Sequence, residues 1–174
     1  MERDPMTHRI FGITGWKNSG KTTLTVKLVD ELTRRGWMVS TVKHAHHDFD
    51  IDKEGTDSYR HRKAGAGEVA IVSDRRWALM HELVSESEPT LADIVARFAP
   101  CDLVLVEGYK REGHKKIETR RTEGRSGERL TTGDPSIVAI ASDYPILDEN
   151  VPVYGLDDVA RLADLIERET QLSR

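Results

Sequence analysis

The chain has 174 residues, 37% hydrophobic and 32% charged, with a formal net charge of −4. That length suits about one domain, and the slight acidic excess argues against a protein that coats nucleic acid. The single cysteine, Cys101, excludes an internal disulfide and a cysteine-rich zinc site, and no apolar run reaches the ~18 residues of a membrane span.

Met1 to Met6 lacks the basic stretch and apolar core of a secretory signal, so a cytoplasmic protein is expected. Arg9 to Thr14 is a short apolar run that predicts a buried strand. Lys21 to Arg35 carries Leu24, Leu28, Val29 and Leu32 at helical spacing, and Gly36 supplies the stop. Trp37 to Val42 predicts the next strand and Thr56 to Ala64 a helix. Glu68 to Ser73 and Trp77 to Leu83 read as two strands joined through Asp74-Arg75-Arg76. A further helix opens at Pro89-Thr90, with Leu91, Ile94, Val95 and Phe98 on one face. Leu103 to Val106 is unbroken apolar sequence, the pattern of a strand covered on both sides, and Ile137 to Ala141 repeats it. Val151 to Tyr154 reads as a short edge strand, and Leu156 to Arg168 as a closing amphipathic helix. Strands alternating with helices predict an α/β fold, a largely parallel sheet with helices on both faces, in one domain over residues 1–174.

The composition breaks between Lys110 and Arg129, where eight basic residues stand against four acidic ones. Gly113, Gly124, Gly127 and Gly133 punctuate this stretch, so residues 110–134 read as a basic loop insertion. Its lysines, Lys115 and Lys116 among them, are expected to meet an anionic phosphate or an acidic partner face, the other reading being a mobile solvated loop. With only Tyr109 nearby as an aromatic, no stacking platform for nucleic acid is expected.

Gly15-Trp16-Lys17-Asn18-Ser19-Gly20-Lys21-Thr22 fits G-x-x-x-x-G-K-[ST] between a predicted strand and a predicted helix, as a P-loop NTPase fold requires. The glycines let successive backbone N–H groups turn inward onto phosphate oxygens, and the helix start adds its positive end. Gly15, Lys17, Asn18, Ser19, Gly20, Lys21, Thr22 and Thr23 are therefore the candidate nucleotide-binding residues. Lys21 would reach the β and γ phosphates and the Thr22 hydroxyl would ligate Mg²⁺. Glu107, at the exit of the Leu103 strand, is the candidate acid for that metal, its other reading being a solvated strand end.

Lys43 to Asp52 begins at the carboxyl end of a strand, where an open parallel sheet faces its ligand crevice. Its three histidines, His44, His46 and His47, and three aspartates allow three readings. These are a transition-metal site, a polar shell around Mg²⁺, water or an anionic ligand, and a solvated loop. Asp50 is the acid chosen here to orient water or link to the metal, so the candidate catalytic set is Lys21, Asp50 and Glu107. The Asn-Lys-x-Asp motif of familiar GTPases is absent. Ser142-Asp143 offers either a carboxylate for guanine N1–H and N2–H or ordinary turn chemistry.

Together, Gly15 to Thr23, Lys43 to Asp52, Gly55 to Ala66, Val106-Glu107-Gly108-Tyr109-Lys110 and His114 to Glu118 resemble the molybdopterin-guanine dinucleotide biosynthesis protein B family. The likeness runs over about residues 9–143. It implies a small P-loop protein that binds GTP with Mg²⁺, hydrolyses it slowly and forms a homodimer. Such proteins assist a separate molybdopterin guanylyltransferase in joining GMP to molybdopterin during molybdenum cofactor biosynthesis. By the same resemblance Lys21 and Thr22 hold phosphate and Mg²⁺, Glu107 is the Walker B acid, and Asp57, Arg60 and Arg62 lie near bound anions. Glu54-Gly55-Thr56 stands where the family has Pro-Gly-Lys, which removes one lysine contact. Two rival readings are a P-loop small-molecule kinase with a basic lid, and a binding module whose loop is vestigial.

Overall fold

A computed structural model of the chain describes residues 8–45, 49–124 and 127–173. In chain order it gives β1 (Ile10–Gly15), α1 (Lys21–Arg34), β2 (Val39–Lys43), α2 (Asp57–Lys63), β3 (Glu68–Val72), β4 (Trp77–His81) and α3 (Leu91–Val95). Then follow β5 (Leu103–Glu107), β6 (Lys116–Arg120), a 3₁₀ turn (Leu130–Thr132), β7 (Ile137–Ser142), β8 (Val153–Gly155) and α4 (Val159–Glu169). The chain forms two compact units, residues 1–44 with 94–174 and residues 45–93.

The larger unit holds a six-stranded sheet in the order β2-β5-β1-β6-β7-β8, every neighbouring pair parallel. Phe11, Ile13, Leu103, Leu105 and Ile117 of the sheet pack with Leu24, Leu28 and Leu32 of α1 and Leu162, Leu165 and Ile166 of α4. The helical spacing of those leucines puts one apolar stripe of each helix on the sheet, and that burial holds the unit together. α1 ends as its sequence foretold. Gly36 adopts φ 88°, its amide bonds Thr33 O at 2.8 Å and the Trp37 amide bonds Leu32 O at 3.1 Å, a Schellman stop. Arg35 at that corner reaches Asp164 (2.7 Å) and Glu167 (2.8 Å), tying α1 to α4.

The stretch read as a basic loop over 110–134 contains β6, which lies in the interior of the sheet between β1 and β7. Hydrophobic patterning misses it because Lys116-Ile117-Glu118-Thr119-Arg120 carries one apolar residue. Its polar side chains are buried yet satisfied. Lys116, fully buried, donates to Asp134 at 3.0 Å, to the Lys110 carbonyl at 3.4 Å and to the Glu112 carbonyl. Glu118 accepts from Arg120 at 2.8 Å. Lys116 is thus a strand residue and no surface contact for a partner, while Lys115 pairs with Glu169 at 2.8 Å.

His114, at the entry to β6, packs against the backbone of Gly12, where a Cβ would stand 2.6 Å from its Nε2. Burial, helped by the Lys116 charge, pushes its pKa down to about 4. An unfolded histidine titrates near ~6.5, so below that pH the unfolded chain takes up the proton first. Stability is accordingly expected to be complete above that value and to fall as pH drops toward 4, by at most about 1.4 kcal/mol per pH unit from this group. Urea unfolding at pH 7 and pH 5 reads the effect. His114→Asn should lose less on acidification than the wild type, and equal losses would remove His114 as the cause.

The smaller unit holds α2 and the antiparallel β3–β4 hairpin. Ser73 closes the hairpin turn by accepting from the amides of Arg75 and Arg76. Ala70 and Leu79, and Val72 and Trp77, stand opposite each other on one face; Val72 is 74% and Trp77 71% exposed.

Candidate functional site

The carboxyl ends of β1, β2 and β5 meet at one edge of the sheet, where Ile13 and Lys43 both stand in register with Glu107. The loop from Gly15 to Gly20 leaves β1 there, with positive φ at Gly15 (145°), Asn18 (62°) and Gly20 (91°). Gly15 has no room for a side chain: a Cβ would lie 2.5 Å from Ser19 Oγ and 2.6 Å from the Thr119 carbonyl. Ser19 and Thr119 share a hydroxyl hydrogen bond of 2.7 Å, and Thr119 donates on to the Thr14 carbonyl at 3.1 Å. β6 therefore braces the loop, a role for Thr119 that the sequence reading missed. Lys17, Asn18 and Thr23 are exposed.

Lys21 Nζ donates to the loop's own carbonyls, Trp16 O at 2.7 Å and Gly15 O at 3.1 Å. Burial lowers its pKa, the charges of Lys110 and Lys43 lower it further, and Glu107 opposes them. Lys110 stands 4.0 Å from the centroid of the Trp16 ring, and burial lowers its pKa too. Three ammonium groups gather at one glycine loop, an arrangement that favours a polyanion. Lys110 directly follows the strand-end sequence Glu107-Gly108-Tyr109, which was the signal for it.

The Thr22 hydroxyl donates to Glu107 Oε1 at 2.6 Å. That bond uses the hydroxyl's proton and leaves its lone pairs to accept from a cation, Lys43 Nζ in this structure, with a buried carboxylate behind it. The donor set fits Mg²⁺. Lys43 Nζ lies 3.3 Å from Thr22 Oγ1 and 3.3 Å from Glu107 Oε1. Behind the acid, Gly108 takes φ 98° and bonds Ile13 O, and a Cβ there would approach the His44 Cβ to 3.1 Å.

Asp143 sits just past β7. Its Oδ1 accepts from the Thr122 amide at 2.8 Å and the Thr122 hydroxyl at 3.1 Å, and its Oδ2 is 3.5 Å from Arg121 Nε. The Thr122 amide above all holds this carboxyl below the usual range. Arg121 also runs past the loop, where a Cβ on Gly20 would meet its Cδ at 2.9 Å.

Asp50 belongs to the smaller unit, where Arg62 bonds it at 2.6 Å and Asp52 at 2.7 Å. Arg62 is thus neutralised within its own unit, while Arg60 stands 3.9 Å from Asp57. His46, His47 and Asp48 lie outside the described residues. Among the described residues no three His, Cys, Asp or Glu side chains group to hold a metal, and no helix is long and apolar enough to cross a membrane.

Residues 10–143 match the family model for molybdopterin guanine dinucleotide synthesis protein B. A molybdopterin-guanine dinucleotide biosynthesis adapter protein of Escherichia coli is 41% identical over 160 residues, covering 90% of each chain. The protein of the same name from Haemophilus influenzae is 40% identical over 161 residues, 91% of this chain and 87% of its own. The crystal structure of a MobB protein homolog from Bacillus stearothermophilus superposes with a TM-score of 0.69 at 29% identity, covering 95% of this chain and 99% of the other.

Proposed function

The chain belongs to the molybdopterin guanine dinucleotide synthesis protein B family, and from that premise we propose that it is a GTP-binding adapter with slow, Mg²⁺-dependent GTPase activity. It works in the cytoplasm beside a molybdopterin guanylyltransferase, in the step that attaches GMP to molybdopterin. The observation that carries the nucleotide site is the 2.6 Å bond from Thr22 to Glu107, at the mouth of a glycine loop whose lysine faces inward. Gly15 to Thr23 would cradle the phosphates with backbone amides, and Lys21 would leave the Gly15 and Trp16 carbonyls for the β and γ oxygens. Thr22 and Glu107 would hold Mg²⁺, which when bound supplies positive charge against the phosphate oxygens. Glu107 serves there as the acid behind the metal.

Slow hydrolysis follows from the cations available. Among the described residues the cations at the loop are lysines and an Arg121 drawn toward Asp143, and we assign the arginine that would help the moving phosphoryl to a partner or a second subunit. The basic lid of the kinase alternative loses its anchor as a mobile element, because β6 is a sheet strand. The exposed pairs Ala70–Leu79 and Val72–Trp77 support the homodimer, a second copy covering the hairpin face.

Asp143 is assigned to guanine. Thr122 holds the carboxylate ionised through Oδ1, and Oδ2, which only Arg121 approaches at 3.5 Å, keeps an acceptor site for a guanine N–H. Asp143→Asn is expected to cut the preference for GTP over ATP by roughly tenfold, the effect of one lost charge-assisted hydrogen bond. Competition titration of the two nucleotides measures it, and an unchanged ratio would take Asp143 out of the base pocket.

A further inference from the structure

We propose that Lys43 is a built-in competitor for the divalent cation, an inference that rests on the nucleotide-site reading above. Its ammonium lies 3.3 Å from Thr22 Oγ1 and 3.3 Å from Glu107 Oε1, bridging the two oxygens that fit Mg²⁺. The approach is fixed by the sheet. Lys43 ends β2, Glu107 ends β5, and the two residues are register partners in a parallel pair, so their side chains leave the same face side by side. Burial is unequal, with the Glu107 side chain 9% exposed and that of Lys43 60%. The carboxylate is therefore the fixed partner and the lysine the arm that can swing into solvent.

Mg²⁺ binds oxygen at about 2.0–2.1 Å in a near-octahedral shell. An ammonium left on the same two oxygens would stand within roughly 4 Å of the metal, where two like charges repel strongly even with partial screening. Metal and lysine must exclude each other. Two consequences follow. The buried acid keeps a countercharge whether or not a metal is present, and the protein takes up the metal more weakly than its oxygens alone would allow. A triphosphate changes that balance by giving the displaced ammonium new anionic oxygens, so the cation enters with the nucleotide.

Mn²⁺ is the probe, its free paramagnetic resonance signal reporting uptake, with and without a non-hydrolysable GTP analogue. Without nucleotide, Lys43→Met is expected to bind Mn²⁺ roughly fivefold more tightly than the wild type, the worth of a half-exposed ion pair. Lys43→Arg, which keeps the charge, should stay near the wild type, and the analogue should narrow the gap. Equal or weaker Mn²⁺ binding by Lys43→Met, with uptake in the analogue complex intact, overturns the inference alone. Failure of every protein to take up Mn²⁺ even with the analogue overturns the nucleotide-site reading as well.

Discussion

Lys21→Ala is expected to weaken GTP binding by about a hundredfold, which corresponds to about 2.7 kcal/mol. Its ammonium is half withdrawn from water and satisfied only by two neutral carbonyls, at 2.7 and 3.1 Å. A phosphate offers charged acceptors instead, and hydrogen bonds to charged groups are each worth about 1.5–3 kcal/mol. Burial and the neighbouring lysines lower its pKa, so affinity should also fall as pH rises, earlier than for a solvated lysine. Lys21→Arg is no remedy, because a planar fork does not fit a position built for a compact charge. Isothermal titration of GTP into both proteins measures the loss, and wild-type affinity in Lys21→Ala would remove that residue from the phosphate site.

Lys116→Ala is expected to cost about 2–3 kcal/mol of folding stability, the usual penalty for leaving buried polar groups and a part-buried charge without their partner. Lys116 is fully buried in an interior strand and supports Asp134, the Lys110 carbonyl and the Glu112 carbonyl. Alanine would leave Asp134 without its cation and two carbonyls without their donor. Lys110, whose carbonyl it holds, is one of the ammonium groups around the glycine loop, so the loss should reach the site as well. Lys115→Ala, one residue away, removes an exposed pair with Glu169 and should cost no more than about 1 kcal/mol. Urea unfolding of the two variants separates them. Equal and small losses would contradict the role of β6 as a core strand.

The contrast between these two lysines shows what sequence reading reaches. Local chemistry was legible: the glycine loop, the α1 stripe of Leu24, Leu28 and Leu32, the stop at Gly36 and the apolar strand ending in Glu107 each announce themselves within a few residues. The two predicted strands of the hairpin were legible for the same reason, since Ser73 to Arg76 is turn chemistry. β6 was not, because its burial depends on partners distant in the chain: Asp134 for Lys116, Ser19 for Thr119, Glu149 for Arg120. Polar residues satisfied that way carry no hydrophobic period. Lys43 and Lys110 belong to segments the sequence already sets near the ligand crevice, but that their ammonium groups gather at the loop shows only in the register of β2 with β5 and in the contact of Lys110 with Trp16. Arg62 shows the converse, a basic residue that looks free for an anion in sequence and is held by Asp50 and Asp52 in the fold.

Calorimetric titration of the wild-type chain with GTP and ATP, each in Mg²⁺ and in EDTA, tests the central claim most directly. GTP with Mg²⁺ should bind tightest, EDTA should weaken it, and ATP should bind more weakly than GTP under both conditions. Absence of GTP binding in Mg²⁺, or binding indifferent to both metal and base, would contradict a nucleotide site built from the Gly15–Thr22 loop and Glu107.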